Sequence, residues 1–212
     1  MDSSSLIYLL LSVASLCYLG TGIAAFRKYS VTQSDRLFIA GASMIIAAIG
    51  IASSITDIVP LLEPYGFEWA WYTGTFCCYL LLFLSSIMKS DEQFRALKHW
   101  SIIVGVVVLI MVMLSLILPD ISTNRNVIVL FNILRVAICS LGLLRYLTLY
   151  TSKGGTRFCL LLCLTFLFLA VGYVTIIAQT FGPVLSVDGI TVVNSTILLV
   201  GDIFLFVTFV AG

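Results

Sequence analysis

Residues 158–181 read FCLLLCLTFLFLAVGYVTIIAQTF, 24 consecutive positions without a charged side chain. Coiled as an α-helix, the stretch is about 36 Å long at 1.5 Å per residue, enough to cross a hydrocarbon core of roughly 30 Å. Arg157 precedes it and Gly182–Pro183 follows it, so both ends are punctuated. Strands of a transmembrane barrel alternate polar and apolar residues over about ten positions, and this run does not alternate.

Six other stretches have the same character. The spans predicted from apolarity are 6–26, 37–62, 69–88, 100–118, 127–150, 158–181 and 190–211. Pro60, Pro64 and Gly66, then Pro119, then Gly154–Gly155, then Gly182–Pro183 and Gly189 mark breaks between them. The expected fold is an all-α integral membrane protein, one seven-transmembrane-helix bundle covering residues 1–212. Short loops lead us to expect antiparallel neighbours packed in sequence.

The composition agrees. Of the 212 residues 61% are hydrophobic and 10% charged, with a mean hydropathy of +1.16. Soluble domains average about 45–50% apolar and about 25% charged. A soluble enzyme, a disordered chain and a coiled coil are excluded as readings, and no nucleic-acid partner is expected. The first span has Asp2 and three serines ahead of it rather than a basic segment, and Arg27–Lys28 behind it. It reads as a retained helix rather than a signal peptide.

Charge sets the expected orientation. Arg27, Lys28 and Arg36 follow span 1; Lys89, Arg95 and Lys98 follow span 3; Arg145, Lys153 and Arg157 lie at or after the end of span 5. The other side carries only Arg125, against Asp2, Asp57, Glu63, Glu68, Asp120 and Asp188. Lysine and arginine collect on the cytoplasmic side, which predicts the N-terminus outside and the C-terminus in the cytoplasm of a plasma (inner) membrane. The chain reaches Gly212 with no polar tail. That leads us to expect a truncated chain or a membrane module detached from a cytoplasmic effector, with a compact subunit that ends there equally allowed; the module would work with a cytoplasmic effector or partner subunit.

Two ionisable residues fall deep inside predicted spans, Arg135 and Asp202. Such groups are costly in hydrocarbon and mark either function or a built-in partner. Counting from the outer ends of their spans, Arg135 lies about 12 Å down and Asp202 about 18 Å, one helical turn apart. An Arg135–Asp202 ion pair is predicted. It has a structural reading, fixing helix register. It also has a functional one, in which Arg135 receives an anion or Asp202 relays a proton. Asp57, Asn132 and Gln179 join the candidate list from the outer halves of their spans, with Thr73, Thr75, Thr175, Asn194 and Thr196. The threonines are expected to be interhelical hydrogen-bond glue. Span 2 is rich in Gly, Ala and Ser, and its Gly50-x-x-x-Ser54 and Ala48-x-x-x-Ala52 spacings predict a central, tightly packed helix.

Catalytic and cofactor chemistry has little to work with. All six cysteines fall in spans, with no CxxC, so neither a disulfide framework nor a zinc site is expected. His99 is the only histidine and precedes span 4, which removes haem ligation inside the bilayer. No lysine lies within any span, so covalent retinal binding is excluded despite the shared seven-helix topology. Asn194-Ser195-Thr196 matches a glycosylation sequon but lies within a span. The matched order of Asp57–Pro60 and Gln179–Pro183 raises a parallel three-plus-one-plus-three repeat with span 4 as linker.

The expected function is a non-catalytic polytopic membrane module, sensory, receptor-like or scaffolding, without a cofactor or metal. The alternative is a small transporter or channel for an ion or small anion using Arg135 and Asp202. An intramembrane enzyme ranks last, for want of clustered histidines, paired acids or an activated nucleophile.

Overall fold

The computed structural model describes residues 3–55, 68–115, 125–152, 155–181 and 187–211. These residues form seven helices: α1 (Ser3–Thr32), α2 (Asp35–Ile55), α3 (Glu68–Ile87), α4 (Asp91–Ser115), α5 (Arg125–Ser152), α6 (Arg157–Phe181) and α7 (Val187–Ala211). All seven are long and apolar enough to cross a membrane. Asp57, Glu63, Asp120, Lys153 and the breaks at Pro60, Pro64, Gly66, Pro119, Gly154 and Gly182–Pro183 lie outside the described residues.

Helix number and order follow the expected spans, and several ends do not. Helix α4 starts at Asp91 rather than at position 100. The cause is a capping box: the Gln93 amide donates to Ser90 Oγ at 3.3 Å, and the Ser90 amide donates back to Gln93 Oε1 at 3.4 Å. Such reciprocal bonds satisfy amides that lack a partner in the first turn. Apolarity alone cannot see this polar turn. Removing the cap by Ser90→Ala is expected to cost about 1 kcal/mol, read as a lower thermal midpoint in detergent; an unchanged midpoint would contradict it. Helix α1 likewise continues past position 26 to Thr32 and stops at Gln33, whose φ of 52° is left-handed. At the far end of α5, Gly155 takes φ 79° and its amide bonds the Tyr150 carbonyl at 2.9 Å, a conformation glycine adopts without strain.

The chain divides into two compact units: residues 1–14 with 125–212, and residues 15–124. The division falls within α1, after Ala14, and again between α4 and α5. Helix α4 packs on α2 and α3 within its unit.

In the unit of residues 15–124, α2 is central, with 61% of its apolar window buried against 17% for α4. Phe26 lies against Gly41, and Ser15 bonds the Ala48 carbonyl, so α1 and α2 run antiparallel. Gly50 meets Ala70 and Gly74 of α3, again antiparallel. The small-residue expectation is thus met by Gly50, but its contact is Gly74 across the interface. Ala52 is exposed, so the Ala48–Ala52 spacing marks no seam, and the side chain of Ser54 lies outside the described set. Ile39, Ile46, Leu81, Phe94, Leu97 and Val108 form the core of this unit.

In the other unit, α6 packs on both α5 and α7. Phe166 stacks on Tyr146 of α5 at 5.6 Å, and Phe168 stacks on Phe204 of α7 at 5.6 Å. Gly172 faces Leu198, and Gly201 faces Leu169, which makes α6 and α7 antiparallel. Across both units large apolar side chains stay exposed, including Ile102, Val106, Ile110 and Met113 of α4 and Leu141 and Leu144 of α5. Soluble monomers rarely expose contiguous apolar patches beyond a few hundred Å².

Candidate functional site

The site is built in the unit that contains α5, α6 and α7. Asn132, Arg135 and Cys139 recur at three- and four-residue steps on α5 and so share one face. All three are buried, and Arg135 is 0% exposed. A guanidinium stays protonated in any protein environment, so this is a permanent buried charge. An ion in such a place needs hydrogen bonds and a counter-charge.

Arg135 Nη1 donates to Asn132 Oδ1 at 3.0 Å, within its own helix. Its guanidinium carbon lies 5.0 Å from the ring centroid of Tyr173 on α6, which is itself buried. The ring face carries negative charge density and attracts the cation. Asp202 of α7 is 4% exposed. Asn132, Arg135 and Tyr173 thus meet at one buried spot between α5 and α6, and the same compact unit holds the buried acid Asp202 on α7.

Nearer the opposite end of α7 sits a second polar contact. Asn194 Nδ2 donates to Gln179 Oε1 at 2.6 Å, joining α7 to α6. Asn194 is buried, and its own Oδ1 accepts no hydrogen bond among the described residues. Asn194 and Asp202 are eight residues apart, about 12 Å along the helix. Polar groups thus recur along the inside of this unit from Gln179 to Asp202. The buried Asn194 also shows the sequon in a helix interface.

Several threonines make local bonds. Thr175 donates to the Gly172 carbonyl at 2.7 Å, and Thr196 donates to the Val192 carbonyl at 2.8 Å. In the other unit Thr75 donates to the Trp71 carbonyl at 2.8 Å. Each of these hydroxyl protons goes back to its own helix, a bond open to any helical threonine. Thr73 and Thr75 belong to the unit of residues 15–124. Asp57 lies outside the described residues. Of the site residues expected from sequence, Arg135, Asp202, Asn132 and Gln179 all fall in one compact unit.

Two members were missed. Tyr173 was passed over because tyrosine reads as hydrophobic, although its ring is what faces the guanidinium. Cys139 is the other: its four-residue step from Arg135 puts it on the same face of α5, a signal the sequence carries. None of the six cysteines is in a disulfide, and among the described residues no group of three or more His, Cys, Asp or Glu could hold a metal ion.

Comparison with protein-family models, with curated proteins and with solved structures finds no match. The functional reading therefore stands on the geometry.

Proposed function

We propose that the chain is a polytopic membrane module without catalysis of its own, receptor-like, in which the buried Arg135 site responds to an anion and passes the response to a cytoplasmic effector or partner subunit. The observation that carries this reading is a fully buried arginine held by Asn132 and the Tyr173 ring, with Asp202 in the same unit. A permanent cation in an apolar bundle draws anions, and an acid beside it competes for the same groups. An entering anion then shifts the pairing of three helices at once, which is the bistable element a receptor needs.

Seven helices long and apolar enough to span a bilayer support insertion in a membrane. The orientation is inferred from charge. In the unit of residues 15–124 the bases flank the α1–α2 and α3–α4 turns, and Lys98 touches Asp35, so these turns share one end. Placing that end in the cytoplasm puts the N-terminus outside. The location proposed is a plasma (inner) membrane.

The test is gentle extraction at native expression followed by native mass spectrometry. The receptor reading expects a stoichiometric protein partner that dissociates when Arg135→Met is introduced. Loss of the chain from carbonate-washed membranes would contradict the membrane assignment, and a partner held equally by wild type and Arg135→Met would contradict the role of the site.

The second reading, a small-anion transporter, is favoured by the recurrence of Gln179, Asn194 and Asp202 along the inside of one unit, and by the unmet acceptor on Asn194. Proteoliposomes loaded with chloride, phosphate or acetate discriminate. Flux that falls at least about tenfold in Arg135→Leu, the size of one lost charged contact, makes the module a transporter. Vesicles no leakier than empty ones reject that reading.

A further inference from the structure

Within the unit of residues 15–124, helices α1, α2 and α4 border an open apolar groove of about 250 Å³. Phe26 of α1, Ala42 and Ile46 of α2, and Ser101, Gly105 and Leu109 of α4 line it. From Ser101 to Leu109 it follows α4 for about 12 Å. Gly105 keeps it wide. A Cβ there would meet only Ile46, at 3.6 Å, which is ordinary contact. Alanine therefore fits, and any longer side chain must occupy the groove.

Charge gathers at one end of this groove. Lys98 lies one turn before Ser101 and Ile102 on the same face of α4. Its Nζ donates to Asp35 Oδ1 at 2.7 Å and to the Tyr29 hydroxyl at 3.1 Å, and lies 4.9 Å from the Phe38 ring centroid. An ammonium has three donors, and these bonds use two. Lys98 is 25% exposed, so the end is reachable from outside. Arg27, Arg36 and Arg95 are exposed near the same turns. The bases of these turns, Arg27, Lys28, Arg36, Lys89, Arg95 and Lys98, outnumber the acids Asp35, Asp91 and Glu92.

We infer that the groove holds one acyl chain of an anionic phospholipid, with the lipid phosphate received at Lys98. This rests on the membrane reading above. An apolar trough ending in net positive charge matches an amphiphile with an acidic head and a hydrocarbon tail. A neutral lipid leaves the surplus bases of these turns without a counter-charge.

The experiment uses the full chain in a neutral detergent, with phosphatidylglycerol and phosphatidylcholine of identical acyl chains added in equal amounts and retention read by native mass spectrometry. Wild type is expected to retain one phosphatidylglycerol, preferred about fivefold, the attraction of one lysine for an anionic lipid surface. Gly105→Leu fills the groove, and retention of both lipids should fall at least about tenfold, as several methylenes lose their apolar cover. Gly105→Ala should retain lipid as wild type does. Lys98→Gln should keep a lipid but bring the two head groups to parity. Circular dichroism and a monodisperse elution profile establish that each variant is folded. Equal retention by wild type and Gly105→Leu, equal retention of the two lipids by wild type, or a groove holding only detergent would each overturn the proposal. Carbonate washing of the source membranes separates the two levels: a chain that washes off defeats the membrane reading, whereas one that stays but does not discriminate lipids defeats only the groove.

Discussion

Replacing Arg135 by methionine is expected to lower the stability of the folded chain by about 3–5 kcal/mol, the usual consequence of removing one partner from a buried charged group. The side chain fills a fully buried position, so its loss leaves Asn132 and the face of Tyr173 without their cation. If Asp202 is its counter-charge, Asp202→Asn in the same background should restore much of the loss, because the acid no longer sits buried without compensation. Reversible unfolding of wild type, the two single variants and the double variant in one detergent closes the cycle. Additivity within about 0.5 kcal/mol would mean that the two residues do not interact. A neutral pair as stable as wild type would indicate that the charges serve function rather than folding.

The second large effect concerns the seam between α2 and α3. A Cβ on Gly50 would lie 2.8 Å from the Ala70 carbonyl oxygen, and one on Gly74 would lie 3.0 Å from the Ile46 carbonyl oxygen. Backbone atoms cannot rotate away, so the helices must separate. Gly50→Val or Gly74→Val should cost about 1–3 kcal/mol or more, as overpacking of a well-filled interior does. Gly172 makes the contrast. Its Cβ would clash at 2.6 Å with Leu198 Cδ2, the end of a flexible side chain, so Gly172→Ala should cost much less. Thermal midpoints ordered Gly74→Val below Gly172→Ala below wild type are expected, and the reverse order for the two variants would contradict the seam.

Helix number and order were legible because hydrocarbon length is a coarse requirement, and any run of about 20 apolar residues meets it. The ends were less so. The Ser90–Gln93 cap and the left-handed Gln33 are polar, local devices that a count of apolar residues does not register. Span 2 was recognisable as a packed helix from its small residues. Which of them form the seam depends on what lies opposite, and Gly74 is the one glycine of α3. At the site, Arg135 and Asp202 stood out because charges in apolar runs are rare. Asn132 and Gln179 followed as polar neighbours. Tyr173 did not, since an aromatic ring in a membrane helix looks like any other apolar bulk until a cation is found above it. The division of the chain within α1 and after α4 had no sequence signal, because all seven helices are apolar and only contacts distinguish the units.

The central claim is that Arg135 is an anion-binding cation whose resident counter-charge is Asp202. Its most direct test is thermal unfolding of Asp202→Gly in detergent over a formate titration. The account expects the lowered midpoint of Asp202→Gly to rise with formate, which replaces the missing carboxylate and stabilises the folded state by mass action. Wild type should respond less, because its own carboxylate competes with formate, and the Asp202→Gly, Arg135→Met double variant should not respond. A midpoint of Asp202→Gly that ignores formate, or one that rises equally when Arg135 is also replaced, would contradict it.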